Sequence, residues 1–216
     1  MNLARLTARV VIGGLFVGHG TQKLLGWFGG PGLEGTAGMM EALELNPPRR
    51  NALLAGATET AGGAMLAAGL ATPLAAAGLI GTMITAIRKV HWSSGPWVTS
   101  GGYEYNLVLI AGLLSLADQK PGDMTLDSAL GLRFSGTHWP LAALALGAAA
   151  SSASVAMGRN APAPMEQDAG TPAGTSGGTS NGTSNGTSGG SGVGGEAGRE
   201  AGGEAGGVGL PTPGTL

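Results

Sequence analysis

Seven side chains stand out because of the company they keep. His19 and Lys23 sit four residues apart inside an apolar stretch, and Glu59 sits inside a second. Arg88 and His91 close a third, while Glu104 and Tyr105 open a fourth. Residues four apart share a helical face, so His19 and Lys23 would present an imidazole and an ammonium on one stripe. Acids and bases inside apolar segments suit three kinds of chemistry. They can pair to lock helices in register, donate hydrogen bonds to carbonyl oxygens, or pass protons. No single residue can be assigned a catalytic role from type and spacing alone.

The elements that must carry these groups read as membrane-crossing helices, since about 20 mostly apolar residues span a hydrocarbon core. The first span runs from about Val10 to Trp27, preceded by Arg5 and Arg9 and ended by a Gly-rich breaker string through Gly32. It lacks the small-residue end of a cleavable signal and is expected to be retained. An amphipathic piece around Thr36 to Leu45 follows, closed by Asn46-Pro47-Pro48. The second span covers Asn51 to Leu70, and Thr72-Pro73 makes a tight junction to a third, Pro73 to about Trp92. The fourth runs from Tyr103 to about Ala117, before a polar loop from Asp118 to Gly136. Trp139 to Gly158 carries no charge but is mostly Ala and Ser, whose burial in lipid gains little. It is a candidate fifth span, and the sequence leaves open whether it crosses.

The expected fold is therefore an all-α integral membrane protein, an up-down four-helix transmembrane bundle over residues 1–136. The candidate fifth span occupies 137–160, and a disordered Gly/Ser/Thr-rich tail occupies 161–216. The composition agrees: 11% of the 216 residues are charged, against about 25% in ordinary soluble domains. The last 56 residues hold five acids, one base and no aromatic residue, in repeats without apolar periodicity. There is no cysteine, which removes disulfides, iron–sulfur ligation and thiol nucleophiles. No Lys/Arg-rich run offers a footprint for nucleic acid. His19, His91 and His138 lack metal-ligand spacing, so no metal site is expected.

In an up-down bundle His19 and Glu59 each lie roughly 12 Å below the same face, a matching depth. Arg88, His91, Glu104 and Tyr105 fall near that face too. A pocket open to one leaflet follows as the expectation, lined by His19, Lys23, Glu59, Arg88, His91 and Glu104, with Tyr105 beside it. Gly14-xxx-Gly18 and Gly56, Gly62 and Gly63 offer surfaces for close helix contact. Lys89 is free to snorkel to headgroups. The far face is read as carrying ordinary flanking groups, Arg5, Arg9, Thr72, Asp118 and Lys120. Trp27, Phe28, Trp92 and Trp97 read as an aromatic belt. The same charges would equally serve a purely structural network, and both readings stay open here. Arg5 and Arg9 favour a cytoplasmic N-terminus, whereas Arg49, Arg50, Arg88 and Lys89 load the other face.

His19-Gly20-Thr-Gln-Lys23-Leu24, the following Gly26-Trp27-Phe28-Gly29-Gly30, Glu59 with Gly62-Gly63, His91, Gly102-Tyr-Glu104-Tyr105 and Asp123-Met-Thr-Leu-Asp127 together resemble the DoxX family of small bacterial membrane proteins. The likeness covers about residues 3–132, and leaves the Ala-rich segment and the tail outside. It implies a multi-pass four-helix bundle in the bacterial plasma (inner) membrane. Some members of that family are subunits of a thiosulfate:quinone oxidoreductase, and others are linked to thiol or oxidative-stress redox partners. Two functions compete. One is an oxidoreductase component that binds quinone and needs a redox partner subunit as electron donor. The other is a non-enzymatic membrane partner or small-solute carrier. The chain shows no binding motif for a cofactor of its own, and its oligomeric state is not legible.

Overall fold

Each apolar stretch becomes a helix whose ends are set by proline and glycine. The computed structural model describes residues 3–118, 124–134 and 136–159, and all regular structure among them is helical. Helix α1 spans Leu3–Leu25, α2 Gly32–Ala42, α3 Pro48–Ala68, α4 Thr72–Ala86 and α5 Glu104–Ala117. A single turn, α6, covers Leu126–Ala129, and α7 covers His138–Arg159. Pro48 and Pro73 occupy the first turns of α3 and α4, where the missing N–H is not needed. Gly69 stops α3 in the left-handed conformation (φ 67°). Helix α4 continues past Ala86 through a wide π turn, Ile87–His91, and a 3-10 turn, Trp92–Ser94. The tail expected to be disordered lies outside the described residues.

Helices α1 and α3 pack antiparallel and almost backbone to backbone. A Cβ added to Gly13 would lie 2.5 Å from the Gly63 carbonyl oxygen, and one on Gly20 would lie 2.7 Å from that of Gly56. The glycines that permit this on α1 are thus Gly13 and Gly20. Gly14 and Gly18, the expected contact pair, face open space. Leu79 of α4 sits over Gly62 of α3, and Asn106 of α5 reaches Met83 of α4. Helix α7 runs alongside α4 in the same direction: Gly147 meets Ile80 and Gly81, and Ser151 meets Thr85. The core is formed by Phe16, Leu66, Leu79, Ile80 and Leu113, all 2% exposed or less. A second cluster of Ala37, Met40, Leu45 and Ala52 is capped by Val155 of α7.

The outer surface is apolar as well. Val11, Leu15, Leu74, Val108, Leu141 and Leu146 are all exposed, far more greasy surface than a water-facing monomer shows. By length and hydropathy, two stretches among the described residues are apolar enough to cross a membrane, Thr72–Ser94 and His138–Gly158. Helix α5 is equally greasy but has 14 residues. The first and second expected spans, α1 and α3, do not reach that hydropathy. Arg5, Arg9 and Lys23 on α1, and Arg49, Arg50 and Glu59 on α3, lower it. The Ala/Ser-rich segment, left open from sequence, is by contrast one of the two that do.

At the end away from the expected pocket Arg9 is not an ordinary flanking group, and Lys120 lies outside the described residues. Arg9 is 4% exposed and donates from Nη2 to the Met124 carbonyl oxygen at 2.8 Å. Asp127, 1% exposed, accepts from the Ala71 amide at 2.7 Å, and its own amide donates to the Gly69 carbonyl oxygen. Thr125 caps α6 by accepting from the Ser128 amide. Three segments distant in sequence are pinned together here.

Candidate functional site

The register of α1 against α3 decides what the first charged group meets. Gly13 lies between Gly63 and Ala67, and Gly20 between Gly56 and Thr60, so the antiparallel count puts His19 level with Glu59. Lys23 is one turn nearer the helix end. Because helical side chains slant toward the N-terminus, its chain reaches back to that level. Its Nζ lies 2.6 Å from Glu59 Oε2, with the two side chains 21% and 5% exposed. A charge-assisted bond of this length, largely withdrawn from water, is a strong contact. The α1 end is steadied by α2, whose buried Thr36 hydroxyl reaches the Lys23 carbonyl oxygen at 3.1 Å.

The pair faces a cavity of about 620 Å³ whose lining comes from α1, α2, α3, α4 with its π turn, α5 and α7. His19, Lys23, Glu59, His91 and Tyr105 all line it. Most of the remaining wall is aliphatic or methionine, including Phe16, Met39, Met40, Leu54, Met83 and Leu109. The His91 ring is oriented by a 2.7 Å contact between Nδ1 and the Gly101 carbonyl oxygen. A carbonyl can only accept, so Nδ1 carries the proton and Nε2 is the acceptor in the neutral ring.

Arg88 and Glu104 are placed elsewhere. Arg88 reaches outward to α7, donating from Nη1 to Ser151 Oγ at 3.4 Å and Ser152 Oγ at 3.3 Å. Glu104 accepts from the Val98 amide at 3.0 Å and so fixes the loop before α5. Lys89 takes the inward position instead. It lines the cavity, 17% exposed, with Glu44 Oε2 at 3.9 Å, rather than extending toward headgroups.

Three contributors were not singled out from sequence. Asn106, 6% exposed, lines the cavity and donates to Met83 Sδ at 3.4 Å. Its signal was there: a lone amide opening an aliphatic run on α5. Thr85 and Ser151 share a 2.9 Å hydrogen bond that fastens α7 to α4 at the cavity wall. Ser151 was hidden in a segment read for its lipid burial, not for its contacts. Among the described residues no group of three or more His, Asp or Glu is placed to hold a metal ion.

The arrangement offers an imidazole, a phenol, an amide and two ammonium groups as hydrogen-bond donors, with one carboxylate, inside mostly apolar walls. Such a site orients a planar or short polar group and shelters an attached hydrocarbon. The model of the DoxX family matches residues 4–92, which carry His19, Lys23, Glu59, Lys89 and His91. No curated protein and no solved structure matches the chain.

Proposed function

Because this chain is a DoxX-family membrane protein, we propose that it crosses the bacterial inner membrane several times and holds a quinone headgroup in its cavity, as the membrane subunit of a redox complex. The observation that carries this reading is the Lys23–Glu59 pair, 2.6 Å apart, opening with His19 and Tyr105 onto a largely apolar cavity of about 620 Å³. Helices α1, α3 and α5 cross together with α4 and α7. Their charged and small residues turn toward one another while their aliphatic residues face lipid.

His19 and Tyr105 supply donors to the two carbonyl oxygens of the ring. The Lys23–Glu59 pair holds a proton beside it, which suits a ligand that gains protons when it is reduced. The electrons come from a partner subunit, since the chain has no thiol with which to exchange them. The test is quinone content after purification from a quinone-containing membrane. Wild-type protein is expected to carry quinone, and folded His19→Ala and Glu59→Gln variants to lose most of it. Unchanged content in both variants overturns the assignment of the cavity.

A further inference from the structure

Helices α1 and α5 touch at one end of their seam and together line the cavity at the other. At the closed end Gly112 of α5 faces Ile12, so near that a Cβ on Gly112 would lie 3.0 Å from Ile12 Cδ1. Seven residues along each helix, two turns and roughly 10.5 Å, return to the same face. From Ile12 that step reaches His19, and from Gly112 in the opposite chain direction it reaches Tyr105. The register thus puts these two at matching positions on the seam, at the level of the Lys23–Glu59 pair. Both line the cavity and both are exposed, Tyr105 at 42%.

Between the closed and open ends the two helices present matched residues. Phe16 and Leu109, 2% and 6% exposed, turn inward and form the cavity floor. Leu15 and Val108, 46% and 63% exposed, turn outward beside them. The opening therefore has a polar post on each side, His19 and Tyr105, and an aliphatic sill that runs from the cavity to the outer apolar surface.

We infer that this is a lateral doorway from the bilayer, and that the cavity's ligand is a tailed amphiphile that enters sideways, headgroup first, and leaves its hydrocarbon chain lying over Leu15 and Val108. The inference rests on the membrane-embedded, quinone-binding reading above, yet the doorway can be tested without a quinone. Since the chain has no cysteine, Thr58→Cys places a single thiol on the cavity wall. In reconstituted vesicles that thiol is labelled either by a bilayer-dissolved alkylmaleimide or by an aqueous sulfonated thiosulfonate. Adding Leu15→Trp and Val108→Trp fills the sill, and is expected to slow the alkylmaleimide about tenfold while changing the aqueous reagent by less than about twofold. Leu15→Trp alone, the milder block, should slow it by about threefold. Equal slowing of both reagents, or none, overturns the doorway.

The ligand arm compares a decyl-tailed benzoquinone with the same ring lacking the tail. The double tryptophan block should weaken the tailed compound about tenfold and leave the bare ring within about twofold. Equal weakening of both compounds overturns the tail path. If neither compound binds wild-type protein while the labelling result holds, the quinone assignment falls and the doorway stands.

Discussion

Removing Lys23 alone should destabilise the fold more than removing the whole ion pair. In Lys23→Met the Glu59 carboxylate stays in a wall where it is 5% exposed, without the ammonium that stood 2.6 Å from Oε2. Orphaning one member of a buried pair costs on the order of 3 to 5 kcal/mol. Lys23 keeps 21% of its side chain accessible, so water and cavity space relieve part of that, and about 3 kcal/mol is expected. Adding Glu59→Leu removes the stranded charge and replaces the bridge with packing of similar volume. The double variant should return to within about 1 kcal/mol of the parent, a coupling of about 2 kcal/mol or more between the sites. Reversible unfolding in mixed detergent micelles, followed by helical circular dichroism and by the four tryptophans, measures Lys23→Met, Glu59→Leu and the double variant against the parent. Purely additive losses, with the double variant the least stable, would refute a directly paired, withdrawn ion pair.

Further expectations follow from the packing. Gly20→Ala and Gly63→Ala should each destabilise by about 2 kcal/mol or more, because the new methyl meets backbone inside 3 Å, whereas Gly14→Ala and Gly18→Ala, facing open space, should stabilise by up to about 1 kcal/mol. The same unfolding assay separates the two sets. Asp127→Ala removes the acceptor of the half-buried Ala71 amide, and about 1 to 3 kcal/mol should be lost. Faster hydrogen exchange of the Ala71 amide is the accompanying sign. Topology reporters fused after Asp118 and after Arg159 should read opposite sides of the membrane, since α7 runs the length of α4 between them; like readings would show that α7 does not cross.

The helices were legible because proline and glycine punctuate long apolar runs, and those signals are local. Positions 48, 69 and 73 set their boundaries as physics requires. The matching depth of His19 and Glu59 followed from counting residues along two antiparallel helices, and the observed register puts them level. What the count could not supply was azimuth. Gly14 and Gly18 form a visible spaced pair, yet the helix turns Gly13 and Gly20 inward, because burial of Phe16 at 2% fixes which stripe faces the core. Arg88 and Lys89 are neighbours with different destinations, because adjacent residues on a helix point about 100° apart and their types do not say which of the two faces inward. Arg9 and Asp127 lie more than a hundred residues apart, and no local pattern reveals that both close the same end of the bundle. Ser151 sat in a segment whose Ala and Ser content argues weakly for lipid but well for tight contact with another helix.

The wide turn at Ile87–His91 carries one consequence for how this sequence can change length. A π turn holds one residue more than the α-helical turn it replaces. Deleting one residue there would restore regular i to i−4 bonding, so the backbone itself would tolerate the loss. Because the shorter turn sweeps about the same angle, the segments on either side would keep their phase, and the change would fall on the turn itself, where Lys89, Val90 and His91 line the cavity. The segment is thus a place where a single-codon deletion would leave the helix intact and change which side chains reach the cavity.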